Sequence, residues 1–514
     1  MKPKTVDDHG QQTLVWPFSP FFRESFGRLS GVAKANSLLS LRSLKLTSHL
    51  YESPAYKMRL NPALLAILQI AVGAVSADQL ATGGVRAEAA ETLQIFPGDN
   101  LHAALVGLGP GDELIINEGS YTTQAEGGGS FFLSVNWQGT PLAPILVQAA
   151  DGARPVISGI PSQDVMRISG SHFTLRGLEI TGGSHGLKLD RVDHATFEDL
   201  VIRDVGDVGI SCNRPGGLCD RLVIRRNEIF NTGVDGGTGE GMYFGCNGAT
   251  CEMVDSLITQ NFLHDLGGFQ GEGIDIKNGS SGNRIQDNVI IGANAAGVAL
   301  GGYTNAPGRT HNAIERNFIW SISGTGIRLV GQALVSNNLV VASGESGIRA
   351  APDQGLDPKD LQILHNTVFD AGDACLRGNG WDMDDLSTTV VANNALYCPS
   401  ASAFRLSGGD GSAIVVGNVG LGAGLVPGIA SGVSASGDFV DPGRLDFWPS
   451  AASVLLSEGD SAYARADFNA TERTQQTLDA GAYQRTAPGN PGWLPRAAFK
   501  RLPAGVFGDS FEGR

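Results

Sequence analysis

Apolar and polar positions alternate along the middle of this chain in short runs of three to five residues, and the runs recur in a fixed frame. Eight rows carry an asparagine followed by an alternating apolar pair: Asn227, Asn261, Asn288, Asn317, Asn338, Asn366, Asn394 and Asn418. The mean step, (418−227)/7, is about 27 residues, a period that signals a solenoid. A second set of short strands follows a glycine, in GLKLD from Gly186, GISCN from Gly209, GMYFG from Gly241, GIDIK from Gly273, GVALG from Gly297, GIRLV from Gly326 and GIRAA from Gly347. Their second and fourth residues are apolar or small, so those side chains point one way and the intervening ones the other.

Short strands at this period predict an all-β, single-stranded right-handed parallel β-helix in which each turn pairs with the turns above and below. An inward Asn at each corner would hydrogen-bond the backbone of adjacent turns. Repetition in every rung marks those asparagines as scaffold, because a catalytic site is needed only once.

The chain divides accordingly. Residues 1–57 read as an extension upstream of the true start, and residues 58–77 (MRLNPALLAILQIAVGAVSA) as a secretory signal peptide. The β-helix is expected over 95–430. DNLHAALVGL from Asp99 reads as an amphipathic helix capping its N-terminal end, residues 431–485 as a C-terminal cap, and 486–514 as a flexible tail.

Composition supports this. With 71 Gly and only 17% charged residues the chain is turn-rich, and 42% hydrophobic content suffices for a long core. A net charge of −15 argues against a nucleic-acid partner, which needs a basic footprint. It leaves room for an acidic polysaccharide, which needs only local cations. Cys212 with Cys219, Cys246 with Cys251, and Cys375 with Cys398 form close pairs compatible with disulfides and with a secreted or periplasmic monomer without a membrane span. Zinc is disfavoured, since no Cys-x-x-Cys pair is present.

PGDELIINEGSY from Pro110, ISGSHFTLRGLEITGG from Ile168 and the Asp479–Tyr483 strand together resemble the pectate-lyase-like superfamily of secreted β-helix proteins, over roughly residues 95 to 485. EGIDIKNGSSGNRIQDN from Glu272 is similar to the segment of the alginate lyase and chondroitinase B family in which an acidic calcium ligand precedes a catalytic lysine by five positions. The resemblance implies Glu272 as a metal ligand and Lys277 as the base. The family's arginine one rung later has no match, because Ala299 and Gly301 stand there; Arg328 is the next guanidinium.

The residues themselves point the same way. The outward column reads Lys188, Ser211, Tyr243, Asp275, Ala299, Arg328, Arg349, then Cys375 and Arg405, and rungs about 4.8 Å apart put Tyr243, Asp275, Lys277 and Arg328 within roughly 15 Å. β-Elimination from a polyuronate needs a neutralised carboxylate, a base and a proton donor. Lys277, Tyr243 and Arg328 are catalytic candidates, and Arg349, Arg405 and Tyr303 candidate substrate contacts. Glu240, Glu272 and Asp275 could hold Ca2+, a hard cation that takes oxygen ligands. Trp381 is a further aromatic that could stack on sugar or simply pack.

The expected function is a secreted polysaccharide lyase. The alternatives are a polyuronate C5-epimerase, which begins with the same proton abstraction, and a non-catalytic glycan-binding or adhesin-like β-helix, in which Lys277 and Asp275 are a solvated ion pair. Polygalacturonase-type hydrolysis is disfavoured, since His185 has no acidic pair on the next strands.

The Val75-Ser76-Ala77 sequence closing the apolar run predicts a mature chain beginning near Asp78. Amino-terminal sequencing of exported protein checks this; an intact Met1 terminus on exported material refutes it.

Overall fold

The computed structural model describes residues 90–122, 133–302, 309–381, 389–407, 413–474 and 476–502. The segments expected to be an upstream extension and a signal peptide lie outside them, as do Tyr303 and the last residues from 503. Among the described residues no helix is long and apolar enough to cross a membrane.

The chain winds into a right-handed parallel β-helix, with 36 described strands joined in one continuous sheet. Three columns of strands make its faces. The first stacks Met242, Ile274, Val298, Ile327 and Ile348 in register. The second stacks Leu257, Arg284, Ala313, Leu334 and Gln362, and the third Phe262, Val289, Phe318, Leu339 and Thr367.

Each rung turns from the second to the third face at a residue with positive φ, most of them not glycine: Gln260 (54°), Asp287 (57°), Arg316 (55°), Asn337 (54°), His365 (54°) and Asn393 (60°). The left-handed conformation costs an L-residue roughly 1–2 kcal/mol. The asparagine that follows offsets this. The backbone N–H of Asn288 donates to Asn317 Oδ1 at 2.9 Å, and Asn288 Nδ2 donates to Ile258 O of the preceding rung at 2.9 Å. The pattern repeats from Asn227 to Asn418, and all eight asparagines are fully buried. A shorter series at the other side of the second face, Asn283 and Asn312, makes the same bonds. Two members leave too little repetition to be noticed in the sequence.

The glycines that open the first-face strands are fixed by close approach. A Cβ on Gly273 would stand 2.3 Å from the carbonyl oxygen of Gly297 in the next rung. At the N-terminal end the helix Leu101–Val106, capped by Asn100, buries Leu101 and Leu105 in the core, and Trp137 Nε1 donates to Leu105 O at 2.8 Å. The three cysteine pairs are disulfides.

After the last rung strand, Ile429–Ser431, the chain turns back along the outside of the third face. That face is apolar outward as well as inward, so it must be covered. Phe439, Phe447, Trp448, Phe468, Tyr483 and Trp493 pack there against Phe318, Leu339 and Tyr397. The expectation of a flexible tail over 486–514 is corrected for residues 486–502. Phe499 meets Phe262 at 5.8 Å between ring centroids. Lys500, 1% exposed, donates to Asp287 Oδ1 at 2.9 Å and to the carbonyls of Arg316 and Phe468 at 2.7 Å. The polar look of TAPGNPGW hid these anchors.

Asn317→Ala is expected to lower stability by about 1–3 kcal/mol for each of the two backbone groups it strips of a partner, the Asn288 N–H and the Ile285 carbonyl. Chemical unfolding measures this; an unchanged midpoint would contradict the scaffold role.

Candidate active site

The outward column of the first face runs Arg167, Lys188, Ser211, Tyr243, Asp275, Ala299, Arg328, Arg349, Arg377, Arg405 in unbroken register. One expectation is corrected: Arg377, not Cys375, lies between Arg349 and Arg405. Cys375 faces inward, held by its disulfide to Cys398.

A cleft of about 360 Å³ opens over the middle of this column, lined by Tyr243, Asp275, Lys277, Ala299, Gly301, Arg328 and Arg349. The small side chains of Ala299 and Gly301 leave its floor low. They also let Arg328 reach across a rung to pair with Glu272, Nη2 to Oε1 at 2.9 Å. The missing arginine and the presence of a cleft are thus one feature.

Glu240 and Glu272 occupy equivalent turn positions in successive rungs, each immediately before a ladder glycine. With Asp275 they bring one carboxylate oxygen each to within 4.8 Å of the others. All three are buried, at 0%, 3% and 2% exposure. Glu240 Oε1 and Glu272 Oε2 are buried without a hydrogen-bond partner, and Asp275 Oδ2 has only the Lys277 ammonium, at 2.5 Å. Burial raises both glutamates to about 7, and the neighbouring carboxylates add to the shift. Asp275 is raised by burial as well, against the pull of Lys277. Buried carboxylates with unfilled oxygens could hold a hard cation such as Ca2+.

Lys277 Nζ also lies over the Tyr243 ring, 4.7 Å from its centroid. Burial draws the ammonium down, but Asp275 outweighs it and the net shift is upward. With Asp275 as its counter-ion, the Lys277 ammonium is favoured over the neutral amine that a base requires. Tyr243 is raised, chiefly by burial, and keeps its phenolic proton.

The arginines divide. Arg377 and Arg405 both pair with Asp373, at 2.7 and 2.8 Å, and Arg405 does not line the cleft. Arg349 does line it, forms no ion pair among the described residues, and has a buried Nε without a partner. Trp381 is buried and packs against Phe404. Tyr303 lies outside the described residues. His185, expected to have no acidic pair on the next strands, meets Asp164 at 3.1 Å and Asp207 at 3.8 Å, both supplied by turns.

Residues 156–290 and 265–419 match the family model described as the right handed beta helix region. No curated protein matches the chain. Among solved structures, a pectate lyase is 18% identical, with 78% of this chain and 97% of that chain covered and a TM-score of 0.49. An alginate lyase from Paenibacillus sp. str. FPU-7 is 19% identical, covering 66% and 99%, with a TM-score of 0.36. The A-module of a mannuronan C-5 epimerase from Azotobacter vinelandii is 16% identical, covering 64% and 90%, with a TM-score of 0.43.

Since Glu240 and Glu272 are raised from 4.5 to about 7, the folded state binds more protons than the unfolded state across that interval, and stability falls as pH rises through it. Chelator-treated protein is expected to melt at progressively lower temperature between about pH 5 and pH 8. The Glu240→Gln, Glu272→Gln double variant should lose most of that slope; an equal slope in both proteins refutes the assignment.

Proposed function

This chain belongs to the right-handed β-helix family, and from that premise we propose that it is a secreted polysaccharide lyase that cleaves a uronate-containing glycan by β-elimination. The observation that carries the reading is the buried trio Glu240, Glu272 and Asp275, with unfilled oxygens, directly beneath a lysine, a tyrosine and two arginines at the mouth of one cleft. Structural ion pairs do not require a third buried acid beside the two that Lys277 and Arg328 already pair.

Glu240, Glu272 and Asp275 would hold Ca2+, and the bound ion would supply positive charge to neutralise the uronate carboxylate and acidify the proton beside it. Arg349, which has no ion partner among the described residues, is placed to hold a carboxylate from the other side of Ala299. With Asp275 among the ligands of such an ion, Lys277 would lose the attraction that keeps it protonated, while the burial that draws it down would remain. The neutral amine then removes the proton on the carbon next to the carboxylate. The electron pair forms the ring double bond, the bond from the neighbouring carbon to the glycosidic oxygen breaks, and Tyr243 gives its phenolic proton to that oxygen. The proton taken up by Lys277, which stands over the Tyr243 ring, would go back to the tyrosine to close the cycle. Arg328 holds Glu272 and flanks the departing side.

The Lys277–Asp275 pair also favours a second reading, a protein that binds glycan without cleaving it, because a lysine that stays protonated is a cation for carboxylates and not a base. The two readings separate in one assay. With calcium and pectate, alginate or chondroitin, the lyase reading expects absorbance from the unsaturated product. Lys277→Ala and Lys277→Arg should each lower that rate by at least about 10²–10⁴-fold with little change in melting temperature, since arginine cannot accept the proton. Wild-type rates in both variants would remove Lys277 from the chemistry. Binding without unsaturated product would favour the binding protein, or an epimerase if the recovered glycan has changed composition.

A further inference from the structure

Two rungs along the outward column from Tyr243 stands a second charged cluster that the elimination does not use. His185 lies in the turn before the strand Leu187–Glu198, with Nδ1 3.1 Å from Asp164 Oδ1 and Nε2 3.2 Å from Lys188 Nζ. One tautomer satisfies both contacts: Nδ1–H donates to the carboxylate, and the lone pair on Nε2 accepts from the ammonium. In that tautomer the ring carries no charge.

Lys188 is thereby left as a cation with a neutral partner. It forms no ion pair among the described residues. Of the acids that act on it, Asp164 takes His185 and, at 3.3 Å, Arg167, Asp207 accepts from the Thr238 hydroxyl at 2.7 Å and the Thr238 N–H at 2.6 Å, and Glu240 is buried in the trio with Glu272 and Asp275. A part-buried ammonium without a counter-ion is costly, and burial pulls its pKa down despite those acids. What the site lacks is an anion on its open side. Arg167, with a 42% exposed side chain, is the next residue of the column and adds a second positive charge.

Position identifies the anion. Lys188 and Tyr243 are separated in register by Ser211 alone, so two steps of about 4.8 Å place Lys188 roughly 10 Å from the tyrosine. That is too far to touch the reacting sugar and suits a neighbouring unit of the same chain. We propose that Lys188, oriented by His185 and Asp164 and flanked by Arg167, is a carboxylate-binding subsite for a uronate unit next to the one held in the cleft. The proposal rests on the reading of that cleft as a uronate site. His185 and Asp164 are positioning residues: they fix the ammonium without neutralising it.

Calorimetric binding of pectate and alginate oligomers of increasing length to the mature protein, together with steady-state kinetics, tests this. Lys188→Met is expected to weaken binding of long oligomers and raise KM by about tenfold, the loss of one charge-assisted hydrogen bond, with kcat unchanged. The shortest oligomers, which fill only the cleft, should bind as to wild type. Lys188→Arg, which keeps the charge, should recover most of the affinity. His185→Gln should give an intermediate loss and an unchanged melting temperature. Equal affinity of Lys188→Met and wild type at every length overturns the proposal, as does a fall in kcat at constant KM, which would put Lys188 at the reacting centre. Length-dependent binding that needs Lys188 but yields no unsaturated product supports the subsite and sinks the lyase reading. Wild type that binds no oligouronate sinks both.

Discussion

The hydrogen bond from each buried asparagine to the backbone of the next rung is the interaction on which this molecule depends. The corner it serves is unfavourable by itself, because residues such as Asp287, Arg316 and His365 adopt left-handed backbone without being glycine. The asparagine after each one satisfies the amide above and the carbonyl below that the corner would otherwise strand. As every rung makes the same corner, the rungs are nearly congruent, and a residue at a given place in one row lies directly over its counterpart in the next. The ten-residue outward column from Arg167 to Arg405 follows from that congruence.

Congruence also explains how three acids come to be buried together. Glu240 and Glu272 occupy the same turn in adjacent rows, and Asp275 follows three residues after Glu272, so the stacking itself forces like charges into proximity. Neutral glutamic acids, raised to about 7, are one way for the protein to tolerate this; a bound cation is the other. Single-row departures from the repeat then shape the cleft. Ala299 in place of a long side chain opens the floor, and Arg328 spans the gap to Glu272.

The repeat was legible in the sequence because it is written eight times, in Asn227 through Asn418 and in the glycines that precede the first-face strands. The disulfides were legible from spacing, and the places of Tyr243, Asp275, Arg328 and Arg349 from strand alternation. Less legible were features that occur once. Cys375 was placed in the outward column because no glycine opens its row to fix the alignment; the register puts Cys375 at the glycine's place, with Leu376 inward and Arg377 outward. Arg405 looked like part of a binding strip, but Asp373, in a turn outside the aligned strands, captures it. The raised pKa of Lys277 depends on a 2.5 Å contact that strand alternation cannot reveal. The acidic partners of His185 come from turns, which carry no periodic signal. Lys500, fully buried near the end of a polar stretch, has its carboxylate 213 residues away at Asp287.

That last separation bears on how the chain assembles. Rungs contact their immediate neighbours, so they can stack in order as they leave the ribosome, with contacts local in sequence. The C-terminal strap is different: it returns from the last rung to the rows of Asn337, Asp287 and Phe262, and no part of it exists until nearly the whole chain has been made. During that interval the outward aromatic and aliphatic side chains of the third face are uncovered. A nascent or truncated chain therefore presents a long apolar stripe to its surroundings, and docking of residues 431–502 ends that exposure.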